Sequence, residues 1–151
     1  MTELITGGCL CGAVRYECRA QPQFAGHCQC RDCQKDTGTG HSSHLGVPAD
    51  ALSISGALRQ YDTTAESGNV STWGLCPICG SPILFKTSGF ADLILLTAGS
   101  LDDPTLFEPS MVVFTDSAQP WDHIDPALQR FPRMPQASAD LALPTRRCYI
   151  A

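Results

Sequence analysis

Short runs in which apolar and polar residues alternate recur along most of the chain. Around Ala13 to Arg19, Val14, Tyr16 and Cys18 interleave with Ala13, Arg15 and Glu17, the period of a strand with one buried face. Cys18 falls on the apolar side and is expected to be a small buried residue. Similar segments follow at 42–47, 52–55, 58–62, 70–75, 83–86, 93–98 and 111–115. They are separated by turn-forming clusters such as Ser88-Gly89, Asp102-Asp103-Pro104 and Glu108-Pro109-Ser110. No stretch keeps a helical apolar period over three turns. Residues 23–37 show neither period and read as a loop, within which Asp32 to Lys35 can begin one helical turn. The pattern predicts a mainly β chain of short elements. From Pro132 apolar periodicity fades among Pro132, Pro135 and Pro144. The expected division is a folded domain over 1–131 and an irregular tail over 132–151, packed on the body or on a second subunit, so a homodimer is open.

Length and composition narrow the class. At 151 residues the chain is the size of one ordinary domain. With 43% hydrophobic and 17% charged residues it has a normal globular balance, which argues against disorder. The longest apolar stretch, Leu93 to Leu96, is too short to span a bilayer, and the first residues lack the basic-then-apolar order of a secretory signal. The expectation is a cytoplasmic protein without a membrane partner. A net charge of -5 leaves no basic footprint for a phosphate backbone, so no nucleic-acid partner is expected either.

Nine cysteines change the picture most. In a reducing compartment so many thiols rarely serve as disulfides, and the count is odd, which favours metal binding. Seven are clustered: Cys9 and Cys11 as C-x-C, Cys28, Cys30 and Cys33 as C-x-C-x-x-C, and Cys76 and Cys79 as C-x-x-C. Cys76-Pro77-Ile78-Cys79-Gly80 has the form of a zinc-knuckle turn, in which two thiolates meet one ion and Gly80 takes a left-handed conformation. Two thiolates leave a tetrahedral ion half satisfied, and Cys9 with Cys11 is the natural second pair. Such a closed set of four contributes folding energy and no chemistry. Cys28, Cys30 and Cys33 then supply three ligands, the arithmetic of a zinc with one open position. Closure by His27, His41 or His44 remains an alternative, as do an iron–sulfur cluster and a redox disulfide. Cys148, in the tail and without a clustered partner, reads as a free thiol.

The order Gly8-Cys9-Leu10-Cys11-Gly12, Cys28 to Lys35, Cys76 to Pro82, Ala98 to Pro104 and Pro120-Trp121-Asp122-His123-Ile124 resembles the glutathione-dependent formaldehyde-activating enzyme family over about residues 4–132. The resemblance implies a β-tent fold of small antiparallel sheets meeting at zinc sites. It makes Cys9, Cys11, Cys76 and Cys79 ligands of a structural zinc, and Cys28, Cys30 and Cys33 ligands of a catalytic one. It also implies an S-(hydroxymethyl)glutathione synthase-like carbon–sulfur lyase activity, joining the glutathione thiol to formaldehyde. The alternatives are a thiol-binding carrier or sensor without catalysis and a purely structural zinc protein.

Glutathione is anionic, and Arg31 and Lys35 beside the triplet are candidate contacts, or else solvated loop charges. His41 and His44 stand an odd number of residues apart, so on a regular strand at most one can face the site. Trp73, Trp121 and Phe90 read as packing residues.

Overall fold

A computed structural model describes residues 3–135. The tail beyond Pro135, with Cys148, lies outside the described residues. In chain order the strands and the one α-helix are β1 (Ile5–Gly8), β2 (Arg15–Cys18), β3 (Phe24–Cys28), α1 (Arg31–Thr37), β4 (Ser42–Pro48), β5 (Leu52–Ser55) and β6 (Arg59–Thr64). Then come β7 (Val70–Leu75), β8 (Pro82–Thr87), β9 (Leu93–Thr97), β10 (Met111–Val113) and β11 (Gln129–Arg130). No described helix is long and apolar enough to cross a membrane.

The strands form two sheets, β1-β2-β5 and β11-β10-β3-β4-β9-β8-β7-β6. Pairing is antiparallel except at one edge, where β10 runs parallel to both β3 and β11. The mainly β, antiparallel expectation is borne out. The core fills the space between the small sheet and one face of the large one. Ile5, Val14, Tyr16 and Cys18 meet Leu45, Val47, Ile83, Ile94 and Leu96 there, and Val14, Cys18, Leu45, Val47, Ile83 and Leu96 are fully buried. Cys18 is therefore the small core residue its alternation predicts.

The turn Gly99-Ser100-Leu101-Asp102-Asp103-Pro104 clamps the small sheet. Tyr16 and Ser100 share a hydroxyl–hydroxyl bond of 2.8 Å, and Arg15 forks onto both Asp102 oxygens. The Asp102 amide donates to the Thr6 carbonyl at 2.9 Å, and the Asp103 carboxylate caps the following turn through Thr105 N–H.

The 23–37 loop expected from sequence is a correction. Most of it is β3 and the seven-residue α1. Alternation fails in Phe24-Ala25-Gly26-His27-Cys28 because the buried centre of the strand is a glycine. A Cβ on Gly26 would stand 2.8 Å from Met111 Cγ and 2.9 Å from the Met111 carbonyl oxygen, so the neighbouring strand occupies the side-chain space. Strand β1 escapes the pattern for a related reason, since half of its four residues are glycines.

Gly26→Ala should therefore cost about 2 kcal/mol through forced displacement of β10. Thermal denaturation followed by circular dichroism should show a midpoint lowered by roughly 5 °C or more. An unchanged midpoint would mean that β10 does not lie against β3 at this residue.

Candidate metal centre

Two turns, one from each sheet, bring four sulfurs together. Cys9 and Cys11 stand in the β1–β2 connection and Cys76 and Cys79 in the β7–β8 connection. Their Sγ atoms all lie within 4.8 Å of one another, with Cys9 to Cys11 at 3.5 Å and Cys11 to Cys76 at 3.8 Å. A tetrahedral zinc about 2.3 Å from each thiolate sets its ligands about 3.8 Å apart, so this donor set and spacing fit the ion. The backbone supports the sulfurs: Val14 N–H donates to Cys9 Sγ at 3.2 Å and Ile78 N–H to Cys76 Sγ at 3.4 Å. Gly80 closes the second turn at φ 75°, its N–H donating to the Cys76 carbonyl at 3.0 Å. Hydrogen bonds from the Ser81 hydroxyl and backbone bring the Cys79 thiol down to about 5. Leu10 N–H crosses between the turns to Ser81 Oγ at 3.1 Å.

The second group gathers at the end of β3. Cys28 is its last residue, Cys30 caps α1 by accepting from Cys33 N–H at 3.4 Å, and Cys33 lies on the buried side of the helix. The three Sγ atoms also lie within 4.8 Å of one another. Among the described residues no histidine, carboxylate or further thiol joins them at that spacing. Without an ion, thiol donation from Cys28 and Cys33 concentrates negative charge on Cys30, whose thiol falls to about 3. Donating to Cys30 holds the proton on Cys28 and drives that thiol up to about 12, while hydrogen bonds to Cys28 and Cys30, with burial, drive Cys33 well above the ordinary thiol range. Three crowded sulfurs that retain one negative charge at neutral pH suit a soft divalent cation.

The candidate histidines separate by strand face. The pairs Cys28 with Ser42 and Gly26 with His44 place Cys28, Ser42 and His44 on one face of the large sheet, and His27 and Ser43 on the other. His44 is buried, held by Ser42 Oγ at 3.2 Å and stacked on Phe85. Desolvation drops its pKa to about 4, so it is neutral at pH 7. His41, on the segment before β4, turns to Asp122 at 2.8 Å and lies edge-on to His27. Each imidazole thus has its own oxygen partner, His27 taking Ser43 Oγ at 2.9 Å.

A support missed in the sequence reading lies behind the triplet. Gln29, between two of the cysteines and only 1% exposed, donates from its amide to Asp122 Oδ2 at 3.0 Å. Burial would push the Asp122 carboxyl up, but Gln29 and His41 outweigh it and hold it below its usual range. Gln34 Nε2 donates to the carbonyls of Gln29 and Ser117 at 2.7 and 2.9 Å, tying α1 to the same 117–122 segment. Phe114, the one described non-glycine residue at positive φ (60°), turns the chain into that segment. Trp121 does not pack as expected: it is 61% exposed, because the turn that sends Asp122 inward sends its neighbour out. Phe90 is likewise partly exposed, whereas Trp73 is buried against Phe85 and Tyr61. Of the two cationic candidates, Arg31 is turned onto Gln34 Oε1 of its own helix, while Lys35 borders a groove beside α1.

Comparison with known proteins agrees with this geometry. A solved structure of a Rhodobacter sphaeroides protein, determined as a structural-genomics target, matches with a TM-score of 0.55 at 21% identity, covering 69% of this chain and 96% of that one. That likeness is one of fold. No curated protein matches the sequence. Residues 4–117 match the family described as glutathione-dependent formaldehyde-activating enzyme, a span that holds both cysteine groups and stops short of Asp122. With well over half of its length inside that match, the chain belongs to the glutathione-dependent formaldehyde-activating enzyme family.

Proposed function

We propose that the chain is a zinc-dependent carbon–sulfur lyase of the S-(hydroxymethyl)glutathione synthase kind, adding the glutathione thiol to formaldehyde or a related small aldehyde in the cytoplasm. The observation that carries this reading is the convergence of Cys28, Cys30 and Cys33 without a fourth described donor at the same spacing. Cys9, Cys11, Cys76 and Cys79 take the structural role, and residues 1–131 form the functional domain with 132–151 as an appended tail.

Zinc held by the triplet would supply a thiophilic metal ion, and a substrate thiol that coordinates it would give up its proton at neutral pH. Cys28, Cys30 and Cys33 hold that centre at the end of a strand and the start of a helix, where the Gln29–Asp122 and Gln34–Ser117 bonds fix the loop. The step itself is an addition. The sulfur electron pair forms a bond to the aldehyde carbon, the carbonyl π pair moves to oxygen, and the proton lost by the thiol is returned to that oxygen as the new hydroxyl. Nothing is oxidised or reduced, so the residues need only position two reactants and pass one proton. Three thiolates also leave the centre with little Lewis acidity for activating water, which favours thiol capture over hydrolysis.

Elemental analysis of reductant-protected protein should give about two zinc ions per chain, falling to about one in Cys30→Ser. That variant should keep its circular dichroism spectrum while losing glutathione capture and any rate of hydroxymethylglutathione formation above the spontaneous reaction. Capture without acceleration in the wild type would instead make the protein a carrier. Cys76→Ser should fail to fold stably, since it opens the junction between the sheets. Under graded chelation the first zinc should leave with the fold intact and the second with loss of structure, because three thiolates hold an ion less tightly than four. Simultaneous loss of both with unfolding would contradict the division into an open and a closed site.

A further inference from the structure

Of the nine cysteines, eight are described: seven in the two sulfur groups and Cys18 in the core. The ninth, Cys148, lies outside the described residues, yet the chain that leads to it leaves the body close to the group that is one donor short. Arg133 pairs with Glu66 at 3.0 Å, in the turn between β6 and β7, and with Asp116 at 3.8 Å. Asp116 N–H donates to the Pro132 carbonyl at 3.2 Å. The carbonyl of the next residue, Ser117, accepts from Gln34 Nε2 at 2.9 Å, and Gln34 follows Cys33 on α1. These links put Pro132 within roughly 25 Å of Cys33.

The length of chain from Pro132 to Cys148 covers that gap with slack. It reaches roughly 50 Å when extended, and a random coil of the same length has a root-mean-square span of roughly 20 Å. A linker whose span matches the distance to be bridged holds its two ends at an effective concentration on the order of millimolar. At the near end of that span stand three sulfurs within 4.8 Å of one another, and a tetrahedral ion takes four ligands. A fourth thiolate would add negative charge to the centre, and Arg146 and Arg147, directly before Cys148, bring the opposite sign with it. The groove beside α1, lined by Asp32, Lys35, Asp36, Tyr61, Thr63 and Trp73, offers those arginines partners. Asp32 precedes Cys33, Asp36 lies one helical turn on from Asp32, and among the described residues neither carboxylate is in an ion pair.

We propose that Cys148 supplies the fourth sulfur to a metal held by Cys28, Cys30 and Cys33, the tail crossing the groove so that Arg146 and Arg147 meet Asp36 and Asp32. The inference rests on the reading that the triplet holds a divalent metal. It makes Cys148 an internal thiol that occupies the position an added thiol would take. An outside thiol gains the site only against the effective concentration of Cys148, so the tail sets a threshold on thiol binding.

Cadmium-113 NMR of the full chain, loaded with cadmium alone and kept reduced without added thiol, tests the assignment. The wild type should give two resonances, both at the high frequency of four-sulfur sites, and both should persist on dilution. In Cys148→Ser one should stay and the other move to lower frequency, where sites of three sulfurs and one oxygen resonate. That variant, freed of its internal competitor, should bind 2-mercaptoethanol at the shifted site at least about tenfold more tightly than the wild type. Arg146→Gln combined with Arg147→Gln keeps the sulfur and should move the affinity part of the way; wild-type affinity there would overturn the groove contact. A three-sulfur resonance already present in the wild type and unchanged in Cys148→Ser overturns the proposal and leaves the triplet a metal site. A single resonance in both proteins overturns the metal reading of the triplet itself. Loss of the four-sulfur signal on dilution would assign the sulfur to a second copy and overturn closure within one chain.

Discussion

The fold depends on the convergence of Cys9, Cys11, Cys76 and Cys79. The small sheet has three strands, and among the described residues no strand of it pairs with a strand of the large sheet; an isolated bridge joins Gly7 of β1 to Leu101 in the turn after β9, and side chains make the other contacts. The four sulfurs join the first turn of the small sheet to a turn 65 residues further on. Four thiols within 4.8 Å repel one another as soon as more than one ionises; against a backbone bond at Ala13 that lowers it, the Cys11 thiol is driven up to about 11 by donating to Cys9 and by desolvation. A divalent cation reverses the sign of that interaction, so the element that opposes folding in its absence becomes a cross-link in its presence. Once the two sheets are joined, Val14, Tyr16 and Cys18 can close over Leu45, Val47 and Leu96, and the Arg15–Asp102 and Tyr16–Ser100 contacts tie β2 to the turn after β9.

With the core on one face of the large sheet, the other face is free for chemistry. Gly26, Cys28, Ser42 and His44 point there, and the row Tyr61, Trp73 and Phe85 continues it across β6, β7 and β8. Helix α1 lies over this end, so a seven-residue element contributes Cys33 to the triplet and three charges to the adjacent groove. The polar cluster of His27, His41, Asp122 and Gln29 acts from behind, fixing the loop between Cys28 and Cys30 from the side of the sheet that faces away from the groove.

Local patterns carried much of this into the sequence, and non-local ones did not. Both cysteine groups are readable because turns impose short, fixed spacings on ligand pairs, and the C-x-C and C-x-x-C pairs survive as text even though 65 residues separate them. Strand β2 is readable because Val14, Tyr16 and Cys18 face a core that demands apolar groups. Strand β3 is not, because what fills the space over Gly26 is Met111, a residue 85 positions away on a parallel neighbour. Asp122 lacks a signature for the same reason: its partners Gln29 and His41 are fixed by tertiary contact, and a lone aspartate after Pro120-Trp121 looks like any turn residue. The fate of Arg31 was equally hidden, since only the helical turn that forms in the structure brings Gln34 within its reach.

The two cysteine groups also differ in what surrounds them, and that difference bears on their division of labour. In the four-sulfur junction the exposed neighbours are apolar: Leu10 is 91% exposed and Ile78 74%, and neither can aid a reacting polar group. Around the triplet the neighbours are a buried neutral imidazole, a buried amide, one exposed and one half-buried acid, and a lysine. A site that only holds the chain together needs no polar surroundings, because its ligands already satisfy one another. A site that must admit a charged thiol, orient it and pass on its proton needs several such groups. The chain concentrates them at the group with three sulfurs and gives the group with four one hydroxyl, Ser81, which is bonded to Cys79 and Leu10; this is the distribution expected if binding energy at the first is directed at a substrate and at the second at the fold itself.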